Sequence, residues 1–398
     1  MLDGIKVLSF THYLQGPSAV QMLADLGADV TKIESPKGAY ERHWSGFDTY
    51  ANGISVFFLM ANRNQKSLSI DIRSPEGKEV IYRLLKDCDV VVENFRPGVM
   101  DRLGFGYAEV QKINPSVVYC SCTGYGSSGP YLEKPGQDIL IQGMSGLASL
   151  TGPAGSGPTP VGTAIVDQHG AVLAALGIIA ALFDRQKTGR GHKVESSLLN
   201  AALDLQIEPL NYYLNKGPLW KPISSGLATR FHEAPYGVYE TADGWITLSL
   251  NPVEKLKQAF NSPAFEGFTK RDQMIRREEV DSVVASEMKK KTTKQWYEIF
   301  EKLDIWYSPA NEYEDVEKDP QVAWNKMILT MEHPVAGQIR TLSHPVRYDG
   351  KAPAIRMNPP RLGEHSEEIL ESIGYTTEEV KQMAERGILR IDEKSKSA

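Results

Sequence analysis

Short apolar runs alternate with amphipathic stretches over the first 125 or so positions, and this constrains the chain more than any other feature. Ile5-Lys6-Val7-Leu8-Ser9-Phe10 reads as a strand. After a Gly16-Pro17 break, Ala19, Met22, Leu23 and Leu26 follow helical spacing up to Gly27, and Ala28-Asp29-Val30-Thr31-Lys32-Ile33 reads as a second strand. Strand, helix and strand in so few residues require parallel neighbours joined by a right-handed crossover. The alternation continues with strands at 67–72, 89–93 and 116–122, a helix at 75–85 and another ending near Ile113. The pattern predicts an α/β fold: an open, Rossmann-like parallel sheet with helices on both faces.

Beyond this region the character changes. A glycine- and proline-rich passage from Gly124 to Gly162 leads to a small-residue helix beginning near Asp167 and a strand at Lys193–Ser197. The large domain is therefore drawn over residues 1–200. From about Gly217 onward, Pro235 to Tyr239 and Gly244 to Leu248 predict two antiparallel strands around Ala242-Asp243-Gly244, followed by charged helices at 276–291 and 293–303. These define a smaller α+β domain over 220–325. A chain of 398 residues that is 41% hydrophobic can bury two such cores.

Charge narrows the partners. A net charge of −6 argues against nucleic acid or an anionic membrane, which would call for a basic face. Three cysteines, Cys88, Cys120 and Cys122, with no Cys-x-x-Cys pair, read as reduced thiols in a cytoplasmic protein. The start has no charged region followed by an apolar stretch, and no window is taken to reach the roughly 18 apolar residues of a membrane span. No residue spacing suggests a metal site.

Gly124-Tyr125-Gly126-Ser127-Ser128-Gly129 is a literal G-x-G-x-x-G after a strand. A dinucleotide site needs a helix to begin inside that motif, so that its leading amides meet the pyrophosphate. Pro130, Pro135 and Gly136 follow instead, which is loop chemistry. No nucleophile elbow, phosphate-binding GK[ST] loop or H-E-x-x-H pair is present. Cys120 and Cys122 share one strand face and read as buried small apolar groups.

Asp167 opens a helix rich in Ala171, Ala174, Ala175, Gly177, Ala180 and Ala181. It reads either as an N-cap or as a carboxylate kept ionised by helix amides in a confined place, able to attack an activated acyl group. Asn94-Phe95-Arg96-Pro97-Gly98 sits at the C-terminal end of a strand, where open parallel sheets bind ligands. Arg102 follows it, and Arg42, Arg63 and Lys66 come after earlier strands, so together they suggest a local phosphate-binding edge.

These segments together resemble the family III CoA-transferases, which include formyl-CoA and carnitine CoA-transferases. The likeness rests on Leu26-Gly27-Ala28-Asp29-Val30 with Lys32-Ile33-Glu34, Glu93-Asn94-Phe95-Arg96-Pro97-Gly98, Arg102-Leu103-Gly104 and Gly124-Tyr125-Gly126 with Gly129-Pro130. It extends through Asp167, Thr188-Gly189-Arg190-Gly191 and Pro360-Arg361-Leu362-Gly363-Glu364-His365. The resemblance implies an interlocked homodimer and a C-terminal segment, about 330–398, that completes the large domain. It also implies that Asp167 is the catalytic nucleophile, that Asn94, Phe95, Arg102 and Lys134 contact CoA, and that acyl-CoA is a substrate with no permanently bound cofactor. Asp167 would carry the CoA as an aspartyl thioester between donor and acceptor acids. Gln15, Gln137 and Gly126 are the substrate or oxyanion candidates.

Formyl-CoA transferase has a glutamine two residues after its Thr-His pair, whereas this chain has Leu14 there and Gln15 one step later. Gln137 stands where that enzyme has a glutamate, and its tetraglycine loop has no counterpart in Ser224 to Arg230. An oxalate and formate specificity is therefore not carried over. Arg42, Arg230 and His232 remain candidates for holding a second carboxylate. A racemase on the same scaffold would need a histidine at Gln137, which cannot exchange a proton at neutral pH. A silent acyl-CoA-binding protein would not need Asp167.

Overall fold

The computed structural model describes residues 1–217, 228–229 and 231–392. Ser224 to Leu227 and Arg230 lie outside the described residues. Two compact units are present: residues 1–145, 162–205 and 323–398 form the first, and 146–161 with 206–322 form the second. Residues 146–161, part of the glycine- and proline-rich passage, thus belong with the second unit.

The first unit is built on seven strands: β1 (Lys6–Phe10), β2 (Asp29–Glu34), β3 (Gln65–Ile70), β4 (Val90–Glu93), β5 (Val118–Thr123), β6 (Lys193–Ser197) and β7 (Leu389–Arg390). Their order is β7-β3-β2-β1-β4-β5-β6. All pairs are parallel except β7 on β3. Strand order reverses between β1 and β4, which is the topological switch point where such sheets bind ligands. The C-terminal segment returns as the antiparallel edge strand β7, with Leu389 opposite Ile70.

Helices cover both faces: α1 (Gln15–Asp25), α2 (Pro75–Leu85), α3 (Val99–Leu103), α4 (Tyr107–Ile113), α5 (Asp138–Met144), α6 (Ile165–Thr188), α7 (Leu198–Asp204), α8 (Ser366–Ser372) and α9 (Thr377–Glu385). Period-two alternation sorts the strand residues between two cores. Leu8, Phe10, Val91 and Tyr119 pack with Val80, Ile81, Leu370 and Val380 on one face. Val7, Val90, Val92, Cys120 and Cys122 pack with α1 and α6 on the other. Local chemistry agrees: Pro75 sits in the first turn of α2, and Ser74 Oγ accepts the Gly77 amide to cap it.

Two expectations are corrected. Gly16-Pro17 does not break the chain before α1 but lies inside its first turn, where proline costs no backbone hydrogen bond. The 24-residue α6 is, by length and composition, long and apolar enough to cross a membrane. In the fold one side of it packs into the core, with Ala171, Ala174, Ala175 and Ile178 beside Ala19, Val20 and Leu23. Small residues permit that close approach.

In the second unit, Tyr236–Glu240 and Trp245–Ser249 pair antiparallel, and Tyr307–Pro309 adds a third strand. Helices Val253–Phe260, Arg277–Met288 and Thr293–Lys302 cover it around Trp296, Phe260, Phe265 and Phe300.

Candidate active site

The first unit gathers three pieces of chain around the leading end of α6: the β1–α1 loop, the end of β4 and the β5–α5 connection. The β1–α1 loop must turn sharply, since Tyr13 has φ of 61°, a conformation costly for a bulky side chain. Three groups hold it there. Asn94 brackets His12, its Oδ1 accepting the His12 amide at 2.9 Å and its Nδ2 donating to the His12 carbonyl at 2.7 Å. Glu41 Oε2 accepts the Tyr13 amide at 3.2 Å. Lys32 Nζ donates to the Thr11 carbonyl at 2.7 Å and to Glu41 Oε1 at 3.2 Å, both side chains being fully buried. Burial pushes the His12 imidazole down to about 4, with the Lys32 charge adding and Glu41 opposing. His12 is thus a neutral ring packed edge-on to Phe95 at 4.7 Å.

Gln15 starts α1 and is 5% exposed, and among the described residues its amide Nε2 has no hydrogen-bond partner. A Cβ on Gly170 would lie 2.7 Å from that nitrogen, so the amide abuts α6 one turn after Asp167. A buried donor left unmatched costs about 1–3 kcal/mol.

The β5–α5 connection approaches itself so closely that only glycine fits. A Cβ on Gly124 would lie 2.6 Å from Gly136 Cα, and one on Gly136 would lie 2.3 Å from Gly124 Cα. This contact delivers Asp138, the first residue of α5, to α6. Asp138 Oδ2 accepts the amides of Val166 at 2.8 Å and Asp167 at 3.0 Å, while Oδ1 accepts Gln142 Nε2 at 2.6 Å.

Asp167 is therefore not the cap of α6. It lies in the first turn, after Ala164, Ile165 and Val166, and Asp138 provides the cap. Among the described residues no group donates to its carboxylate. Burial first, then the Asp138 charge, push its carboxyl up to about 7. The expectation that helix amides keep it ionised is not met: Asp138 takes the Val166 and Asp167 amides. Behind it, His169 Nε2 meets Asp204 Oδ2 at 2.7 Å.

Three members of the expected basic edge, Arg42, Arg63 and Lys66, are already paired with acids. Arg42 makes a bidentate pair with Glu34, at 2.7 Å from both Nε and Nη2. Although burial alone would raise it, that guanidinium holds Glu34 down to about 2. Arg63 is buried against Asp25 at 2.6 Å, and Lys66 meets Glu368 at 3.0 Å. Arg42 and Arg63 are thus committed to internal acids and Lys66 to a surface one, so Arg42 is not a ready second-carboxylate site either. His232 stands 3.4 Å from Glu208 in the second unit. Arg102 is exposed beside Gly98, and Lys134 is exposed with its ammonium 4.1 Å over the Tyr131 ring. Neither meets a carboxylate among the described residues. The Gly126 amide donates to Thr123 Oγ1 at 2.9 Å, so it would have to leave that hydroxyl to serve an oxyanion. Gln137 is exposed just ahead of α5. Glu93, whose carboxyl burial raises to about 7, accepts the Phe95 amide at 3.0 Å. Sequence reasoning missed the capping role of Asp138, for which the only cue was an acid at a helix start.

Comparison with known proteins identifies what the chain is similar to. The family model described as CoA-transferase family III matches residues 2–366. A succinyl-CoA:glutarate CoA-transferase of Mus musculus is 32% identical, the match covering 94% of this chain and 86% of that protein. A formyl-CoA:oxalate CoA-transferase of Rhodopseudomonas palustris is 32% identical, covering 98% and 97%. A CaiB/BaiF family protein from Brucella suis superposes with a TM-score of 0.81 at 30% identity, covering 94% of this chain and 99% of that one.

Proposed function

Since the chain belongs to CoA-transferase family III, we propose that it moves CoA between carboxylic acids through a thioester on Asp167. The carrying observation is the state of that side chain: a carboxyl in the first turn of α6, short of donors and raised to about 7. A carboxylate neither clamped nor well hydrated keeps its basicity and hence its nucleophilic strength.

Asp167 attacks the thioester carbonyl of the donor acyl-CoA, forming a mixed anhydride and expelling CoA thiolate. The thiolate attacks the aspartyl carbonyl, releasing the donor acid and leaving aspartyl-CoA. An acceptor carboxylate then attacks aspartyl-CoA, giving a second anhydride and again CoA thiolate. The thiolate attacks the acceptor carbonyl, giving the product thioester and restoring Asp167. Each tetrahedral step needs a hydrogen-bond donor, and the unmatched Gln15 amide is the best supported one.

Arg102 and Lys134 supply charge for the CoA phosphates, and Phe95 an apolar surface. Asn94 acts through the loop it brackets. For acids, a dicarboxylate on at least one side is supported by the relatives' names, since succinate, glutarate and oxalate are all dicarboxylates. Homodimerisation is supported by an apolar face on α6, where Val172, Leu176 and Phe183 are exposed with Ile139, Leu140 and Met144 of α5. Such a face is uncommon on a monomer.

The test is a transfer assay with succinyl-, glutaryl-, oxalyl- and acetyl-CoA against a panel of mono- and dicarboxylic acids, with light scattering for mass. Transfer to at least one dicarboxylate, abolished in Asp167→Asn, supports the reading. Hydrolysis or isomerisation without transfer overturns it.

A further inference from the structure

The cap on α6 has a chemical consequence beyond holding the helix. A carboxylate in a helix's first turn ordinarily draws on the leading amides, which lower its basicity. Here Asp138 has taken the Val166 and Asp167 amides, at 2.8 and 3.0 Å. Asp138 is itself held by Gln142 at 2.6 Å, and the Gly124–Gly136 contact leaves its approach no slack.

We propose that Asp138 is a positioning residue that tunes the nucleophile: it withholds the α6 amides from Asp167 and sets a second negative charge beside it. This deepens, and rests on, the reading of Asp167 as nucleophile. Nucleophiles of this kind work best when basic yet still partly ionised at working pH. Asp138 thus trades an easier ionisation for a more reactive carboxylate. The same cap would steady α6 while Asp167 cycles between carboxylate, anhydride and thioester, because it binds backbone amides rather than the reacting side chain.

Other charges near α6 are already matched. Of the elements packed on it, α1 contributes Gln15 and Ser18 at this end, its Asp25 being paired with Arg63. From α7 comes Asp204, bound to His169 of α6 itself. On β5 lie the buried Cys120 and Cys122, and on β6 Lys193 and Glu195 meet each other at 2.9 Å. Further along α6, Asp184 meets His192 and Arg185 meets Asp89. Asp138 is left as the charge that bears on Asp167.

The experiment is carbodiimide amidation of Asp167, which consumes the protonated carboxyl, followed across pH 5–9 by mass spectrometry of its peptide. It needs neither CoA nor turnover, so it answers even if the transferase reading fails. Asp138→Asn keeps an oxygen for the amides and removes the charge. The amidation midpoint should fall by about one pH unit, and the rate at pH 7 should drop roughly fivefold. The acid limb of kcat/KM should move down by the same amount while maximal kcat falls, a split that a merely structural cap would not produce. Asp138→Ser, a smaller neutral cap, should shift the midpoint likewise and serves if the asparagine variant does not fold. A midpoint unmoved in a folded neutral variant overturns the proposal.

Discussion

Replacing Asp167 should stabilise the protein, and the effect should depend on pH. In the unfolded chain Asp167 releases its proton near 3.8, whereas in the fold it holds it to about 7. Between those values the folded state binds more protons than the unfolded one, so rising pH erodes stability, and above 7 the full cost is present. At 1.36 kcal/mol for each tenfold step in proton affinity, that cost is about 4 kcal/mol at pH 8 and below about 2 kcal/mol at pH 5. Asp167→Asn removes the charge, keeps the shape and breaks no hydrogen bond to the carboxylate among the described residues. With a urea slope of about 3 kcal/mol/M, its unfolding midpoint should lie about 1 M above wild type at pH 8, and the gain should at least halve at pH 5. Unfolding followed by far-UV circular dichroism at both pH values checks this. A variant less stable than wild type at pH 8, or a gain identical at the two pH values, would refute the reasoning.

Two further substitutions probe the scaffold. Gly124→Ala places a Cβ 2.6 Å from Gly136 Cα, which backbone cannot relieve by rotating a side chain. It should cost about 1–3 kcal/mol in stability and lower kcat more than tenfold, read by steady-state kinetics, because Asp138 is displaced. Lys32→Met leaves Glu41 buried and unpaired, so it should destabilise by about 3–5 kcal/mol, while Lys32→Met with Glu41→Gln should recover most of that in the same urea titration.

The alternation of strands and helices was legible because period-two and helical apolar patterns are local. The strands from β1 to β5 fall close to where those patterns place them, and α2 matches Pro75–Leu85 to the residue. The site was legible only in part. Arg42, Arg63 and Lys66 read as a basic edge because spacing shows where cations stand along the chain, not what they meet. Arg63 finds Asp25 from 38 positions away and Lys66 finds Glu368 from 302. For the same reason Asp167 reads as a cap, since the true cap lies 29 positions earlier, delivered by a contact between two glycines. The apolar character of α6 was hidden by its alanines and glycines, each a weak signal alone. Gln15 carried no sequence mark of its burial, which brings its amide to where Gly170 leaves room on α6.

The central claim is a covalent intermediate on Asp167, and trapping it is the most direct test. Purified protein is mixed with succinyl-CoA or another productive donor, quenched with hydroxylamine or borohydride, and digested for mass spectrometry. The account predicts a hydroxamate or reduced side chain at Asp167 that requires the donor and is absent from Asp167→Asn. Transfer that proceeds while Asp167 stays unmodified at every quench time would contradict it.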